Sequence, residues 1–280
     1  MHLLMILAGL GLAYLLRSSR IQQSGNWTQR WQRALLLFLF PPLLLMMTAV
    51  AVLCMGPQGQ MIGLYTGWFS YCIVLGCLAV AIFVGIKLAF EAWQSIEQIR
   101  AYPQVEIEGS KVRLLDHAIP FSGMIGFWQQ ELVITQGLLE KLQPEQLQAV
   151  LSHEQAHHYY RDTFWFFWLG WVYRCSAWLP NTASLWEELL LLREIRADGW
   201  AAQKVDSLVL AESLLIVVSQ SMIVSETVCA AFSRAVPRNR LQQRIDALLA
   251  EPESPTESNS WAWSWVLLSL IPLISVPFHT

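Results

Sequence analysis

The chain has 280 residues, of which 55% are hydrophobic and 14% charged, and its mean hydropathy is +0.40. A soluble domain carries roughly 25% charged residues, so this composition argues against an ordinary water-soluble globule and for a membrane protein. The net charge of −3 argues against nucleic acid as a partner, because phosphate binding needs a basic field.

A membrane-crossing helix needs about 20 apolar residues. Residues 1–16 (MHLLMILAGLGLAYLL) form a short apolar stretch ending at Arg17. They lack a basic start and a small-residue cleavage pattern, so they read as a retained first span and not as a signal peptide. Residues 34–55 and 69–90 are fuller spans, and Pro41-Pro42 is expected to kink the first of them. These three spans make residues 1–90 a membrane domain.

Residues 91–250 are long enough for a packed domain. QVEIEGSKVRLLDH (104–117) predicts two short strands around a Gly-Ser turn, with Val105 and Ile107 alternating against charges. ELVIT (131–135) predicts another strand and 136–142 a short helix. Gln143-Pro144-Glu145 then opens a helix that runs without a breaker through LQAVLSHEQAHHYYRD. Residues 163–180 are strongly apolar, with Trp165, Trp168, Trp171 and Trp178. Residues 181–250 read as mostly helical. Within them 207–231 is apolar enough for a span, but Glu212, Gln220, Glu226 and several serines favour a buried or interfacial helix. EPESPTESNS (251–260) is a polar linker. Residues 261–277 form a last span opened by three tryptophans, as at a membrane interface. The five cysteines form no Cys-x-x-Cys pair and read as buried small hydrophobes.

Basic residues orient these spans. Arg17, Arg20, Arg30 and Arg33 lie between the first two, and every other lysine and arginine lies between Lys87 and Arg244. The 56–68 loop and the tail carry none. Positive-inside therefore places 17–33 and 91–260 in the cytoplasm, with 56–68 and both termini outside a plasma or inner membrane.

The chemistry sits in VLSHEQAHHYYRD (150–162). On a helix, positions i and i+4 lie about 40° apart in azimuth and roughly 6 Å along the axis. His153 and His157 can therefore turn their imidazoles toward one metal ion. Glu154 is rotated about 100° from His153, badly placed as a ligand but well placed to take a proton from a water at the ion. His158 is turned away, toward a surface. Tyr159 and Tyr160 fit core packing better than a role at an oxyanion. A catalytic zinc needs a third protein ligand and an open fourth position. LREIRADGWAA (192–202) offers Glu194, with Asp198 one turn on to receive a ligand histidine's N–H. The competing reading makes Glu194 and Asp198 a solvated face beside Arg193 and Arg196.

HEQAHHYYRD followed some forty residues later by REIRAD resembles the BlaR/MecR-type membrane metallopeptidases, metallopeptidase family fifty-six. PFSGMIGFWQQELVIT, QPEQLQAVLSHE, WLPN and LAESLL follow that family's order over roughly residues 100–250. The resemblance implies a gluzincin: one zinc ion on His153, His157 and Glu194, with Glu154 as general base. It gives a mainly α multi-pass membrane protein whose cytoplasmic α+β zinc domain combines a small sheet with the H-E-x-x-H helix. Asp162 matches the family's Arg-Asp pair in a structural role. Gln155 departs from a usually apolar position, and the chain has no room for the extracellular penicillin-binding sensor of BlaR-like receptors. HtpX-type quality-control proteases share the H-E-x-x-H plus E-x-x-x-D logic and are the alternative enzyme. An inactive signalling scaffold is the non-enzymatic alternative, although a scaffold has no use for Glu154.

Thirty-six residues separate His157 from Glu194, whereas two full spans need about 40. The 163–180 segment is therefore expected to be re-entrant or interfacial, which puts the site at the membrane surface. The implied partners are the lipid bilayer and a protein or peptide substrate, a cytoplasmic or juxtamembrane segment that the 131–135 strand would align as an added strand.

Overall fold

The computed structural model describes residues 2–18, 25–58, 60–61, 64–65, 67–221, 238–250 and 264–278. The 251–260 linker, residues 222–231 of the apolar segment and residues 261–263 of the last span lie outside the described residues. The chain forms two compact units, residues 1–86, 171–189 and 253–280 in one and residues 87–170 and 190–252 in the other.

The first unit is built on apolar helices. Helix α1 spans His2–Arg17 and α2 spans Trp27–Met55, with the Asn26 side chain accepting from the Gln29 N–H at its start. That contact satisfies one of the donors a helix leaves free at its N-terminus. Helix α2 is continuous through Pro41 and Pro42. Strands β1 (Gln60–Met61) and β2 (Leu64–Tyr65) pair antiparallel before α3, Trp68–Arg100. Ala51, Val52, Met55 and Val74 form a core with Met5, Ile6, Leu273 and Val276 packed against it. Arg17, expected in a hydrated loop, is instead buried, its Nη2 donating to the Phe38 carbonyl.

Among the described residues, α2 and α3 are long and apolar enough to cross a membrane. Most of the α3 apolar surface is uncovered, Phe83 being 65% exposed. Helix α1, at 16 residues, is about 24 Å long, short of the roughly 30 Å hydrocarbon core. The segment expected to be the last span is not one α-helix. A single α-helical turn, Trp265–Leu268, is followed by a 3₁₀ stretch, Ile271–Phe278. Pro272 and Pro277 lack the N–H that an α-helical ladder needs there.

The second unit holds a four-stranded mixed sheet in the order β3-β4-β6-β5. Strands β3 (Gln104–Ile107) and β4 (Ser110–Leu115) form an antiparallel hairpin. Its turn is at Glu108-Gly109, both at positive φ, one residue before the Gly-Ser turn expected from the sequence. Two consecutive positive φ values suit the right-handed twist of a two-residue hairpin, and glycine adopts them at least cost. Strand β6 (Glu131–Thr135) pairs parallel with β4 and antiparallel with β5 (Ser122–Ile125). Leu132 and Ile134 face a core with Leu138, Val150 and Leu151, while Val133 faces Ile99, Leu115 and Ile125. This period-2 alternation buries both faces of the sheet. Because β6 is interior, it cannot take up an added substrate strand; β5 is the terminal strand on that side.

Helix α4 is Gln136–Lys141 and α5 is Pro144–Tyr159. The start of α5 has Pro144 at its first position, and Gln143 and Gln146 bond each other's backbone reciprocally, the mutual satisfaction of a capping box. Helices α6 (Asp162–Ser176), α7 (Thr182–Ala201), α8 (Ser207–Ser221) and α9 (Arg238–Leu249) follow. Helix α6 is about 22 Å long, too short to span alone. Leu210 and Leu214 of α8 pack with Ala149 and Ala201, and Leu241 and Leu248 of α9 lie against them. That packing brings α9 to the helices carrying the polar cluster.

Candidate metal centre

Helix α5 turns His153, Glu154 and His157 inward, and all three are buried. Within the second unit, α7 is apolar through Leu190, Leu191 and Leu192 and continues into Ala197 and Ala201, all buried. Glu194 and Asp198 are spaced one turn apart on this packed helix, at 6% and 1% exposure. They are not the solvated face that the flanking arginines suggested.

The donor atoms of three residues converge. His153 Nε2 lies 3.1 Å from His157 Nε2 and 3.3 Å from Glu194 Oε2, and His157 Nε2 lies 3.7 Å from Glu194 Oε1. Ligands about 2.0–2.1 Å from a tetrahedral ion sit roughly 3.3 Å from one another. The donor set, two neutral-capable imidazoles and one carboxylate, is also one that zinc accepts. Residues His153, His157 and Glu194 therefore fit a single divalent ion, and they form the one such group among the described residues.

Each histidine is held from behind. His153 Nδ1 is 2.8 Å from Asp198 Oδ1, and His157 Nδ1 is 2.7 Å from Asp162 Oδ2. A carboxylate at Nδ1 favours a proton there, through a hydrogen bond at His157 and through the close ion pair with Asp198 at His153, and leaves Nε2 with the lone pair. Asp162, the first residue of α6, thus touches a site histidine, a contact that the Arg-Asp resemblance left as merely structural.

Guanidinium groups hold the carboxylates in turn. Arg244 of α9 donates to both Asp198 oxygens at 2.7 Å, and its Nη1 is 3.4 Å from Glu194 Oε2. Arg193 donates to Glu194 Oε1 from Nε at 2.9 Å and Nη2 at 2.6 Å, while resting over the Phe166 ring. Arg196 donates to Asp162 Oδ1 and lies over the Tyr160 ring. Glu154 has its own partner: the Ser122 hydroxyl donates to its Oε1 at 2.7 Å. Sequence reasoning missed Ser122 and Arg244. Ser122 lay inside PFSGMIGF, whereas Arg244 carried no signal that set it apart from its charged neighbours.

Other residues near the motif play smaller parts. His158 is exposed, in line with its rotation away from His153. Tyr159 is also exposed and stacks on Trp200, so it is not a core residue.

These contacts shift protonation strongly. Burial works against charge on His153, but the nearby Asp198 and a bond to Glu194 outweigh it and push the ring up to about 10. Burial likewise opposes charge on His157, and Glu194 and Asp162 overcome it in the same direction. Burial alone would raise the carboxyls, yet Arg193 and His157 hold Glu194 well below its usual range, and Arg244 and His153 lower Asp198. Without a cation, protons on the rings supply the missing positive charge. Since the folded value of His153 exceeds its unfolded one, this stabilisation is full below about pH 6.5 and is lost as pH rises toward 10. Metal and protons compete for the same nitrogens. Zinc binding at pH 7 is therefore expected to release about one to two protons, and its affinity to rise with pH. Titration calorimetry in buffers of different ionisation enthalpy reads this directly; a proton count of zero would contradict it.

A small sheet beside a helix bearing two inward histidines, completed by a carboxylate from a second helix, makes a group that could hold one metal ion. Residues 120–240 match the family model described as Peptidase family M48, which points to a metallopeptidase and does not support the BlaR/MecR-type assignment. The matched stretch contains Ser122, His153, Glu154, His157, Asp162, Glu194 and Asp198 and ends before Arg244. No curated protein matches the chain.

Proposed function

We propose that the protein is a membrane-anchored zinc endopeptidase acting on a cytoplasmic or juxtamembrane protein segment. The observation that carries this reading is the convergence of His153 Nε2, His157 Nε2 and the Glu194 carboxylate, one oxygen 3.3 Å from the first and the other 3.7 Å from the second, beside a carboxylate that is not one of the three. These three residues would hold the ion. When bound, zinc supplies Lewis-acid polarisation of the scissile carbonyl and a water of lowered pKa. Glu154, its Oε1 steadied by Ser122, takes a proton from the attacking water and delivers it to the departing amine nitrogen. Asp198 and Asp162 keep the Nδ1 protons in place, so both imidazoles present Nε2 throughout. Signalling and quality-control proteases would share this site and differ only in substrate.

Glu194→Ala tests the ligand assignment, because two strong protein ligands then remain where three stood. Zinc content per chain is expected to fall together with cleavage of any peptide the wild type cuts. Full zinc occupancy with normal cleavage would sink the assignment. Asp198→Ala should lower metal affinity or activity about 10–100-fold.

Cytoplasmic placement of the site is the second part of the reading, supported by the one-sided basic residues and by α2 and α3. A membrane-impermeant thiol reagent applied from outside should reach cysteines introduced in 56–68 and after 278. It should miss those in 17–33 and in 104–116. Labelling of 104–116 from outside would put the site on the other face.

A further inference from the structure

One surface of the second unit is made almost wholly of aromatic rings. Between β5 and β6 the chain turns through Gly126–Gln130. Gly126 has φ +119, and a Cβ there would lie 2.2 Å from the Gln129 carbonyl oxygen, so only glycine allows so tight a turn. The turn lifts Phe127 and Trp128 out of the sheet. Phe127 meets Phe164, Phe167 and Trp168 of α6 at centroid distances of 4.9, 5.1 and 6.4 Å, and Trp128 meets Phe164 at 5.2 Å. A hydrogen bond from the Gln130 side chain to Thr163 ties the turn to the helix. The rings support one another, yet their outer faces are uncovered: Trp128 is 74%, Trp165 59% and Trp168 46% exposed.

We propose that this patch lies in the headgroup–acyl boundary of the bilayer and seats the second unit on the membrane surface. The proposal rests on the membrane part of the reading above. Three features favour lipid as the occupant. The exposed members are tryptophans, whose amphipathic rings prefer the interface to either water or hydrocarbon. The segments 126–130 and 163–169 carry no aspartate or glutamate to resist entry into that layer. The chain also enters this unit through α3, one of the two helices among the described residues that are long and apolar enough to cross a membrane, and further exposed rings, Phe90 and Trp93, lie at the end of its apolar run. A patch tethered this way meets a lipid surface at high effective concentration. Asp162, two residues before the first α6 aromatic, bonds His157, and Ser122, which bonds Glu154, lies on the strand leading into the turn. The same two elements that carry the rings thus carry contacts of the candidate centre. A substrate would be met at the level of the lipid headgroups.

The test uses the full chain in nanodiscs of palmitoyl-oleoyl phosphatidylcholine doped with a phospholipid bearing a photoactivatable group just below its headgroup. After irradiation, lipid adducts are mapped by mass spectrometry. Adducts are expected on peptides holding 127–128 and 164–168 as well as on α3. In the double variant Trp128→Ser/Trp165→Ser, whose changes are at exposed positions, adducts on 164–168 should fall at least severalfold while those on α3 are unchanged. Labelling of α3 without labelling of the patch would overturn the proposal and leave the membrane reading standing. Absence of labelling on both would overturn both. Protection of the patch by cross-links to a second chain or to an added protein, in place of lipid adducts, would also overturn it.

Discussion

On the proposed reading, Glu154→Gln should bind as much metal as the wild type and cleave peptide about 10²–10⁴ more slowly. The substitution preserves the size and the bond from Ser122, which can donate to an amide oxygen as it does to Glu154 Oε1. It removes only the ability to take up a proton at that atom. His153, His157 and Glu194 remain, so metal content should match the wild type. Parallel measurement of zinc per chain and of peptide cleavage separates the two roles. Normal cleavage by this variant would end the hydrolase mechanism and make the scaffold reading the better one. Ser122→Ala removes the steadying bond without the carboxylate, and should cost much less than Glu154→Gln.

Arg244→Met should destabilise the metal-free protein by about 3–5 kcal/mol, the usual cost of leaving one member of a buried ion pair without its partner. Asp198 is 1% exposed and has both oxygens engaged by this guanidinium. Without Arg244, Asp198 must either bury an uncompensated charge or take up a proton. Arg244→Lys keeps the charge but not the two-pronged geometry, and should fall between. Adding Asp198→Asn to Arg244→Met removes both charges and should recover part of the loss. Denaturant unfolding of the chelator-treated protein checks all three, and an unchanged midpoint for Arg244→Met would refute the clamp.

Local signals account for what was legible in advance. The start of α5 was written in Gln143-Pro144 and the spacing of its two inward histidines in HEQAH, because cap and donor spacing lie within one helix. Strand β6 was plain in ELVIT. Strand β5 was not, since SGMI is four residues long with two small side chains and shows no alternation. The exchange of edges between β5 and β6 followed from that omission, because strand order depends on pairings remote in sequence. Asp162 was visible as half of an Arg-Asp pair, but its hold on His157 depends on how α6 leaves α5 through Arg161, which has φ +53. Arg244 was illegible for a different reason. RNRLQQRIDALL looks like any amphipathic surface helix; packing against Ala149 and Ala201 buries both Arg240 and Arg244, and only the folded chain shows that Arg244 is the one that reaches Asp198.

The long reach of Arg244 also has a consequence in time. The ribosome adds the metal donors by Glu194, and Arg244 follows only fifty residues afterwards. At roughly 5–20 residues per second that lag is about 3–10 s. During it the nascent chain contains every donor for an ion but not the guanidinium that holds Asp198 behind His153. Synthesis therefore supplies the candidate ligands first and the clamp on Asp198 last, and a polypeptide stopped between these points would carry the donor residues without that clamp.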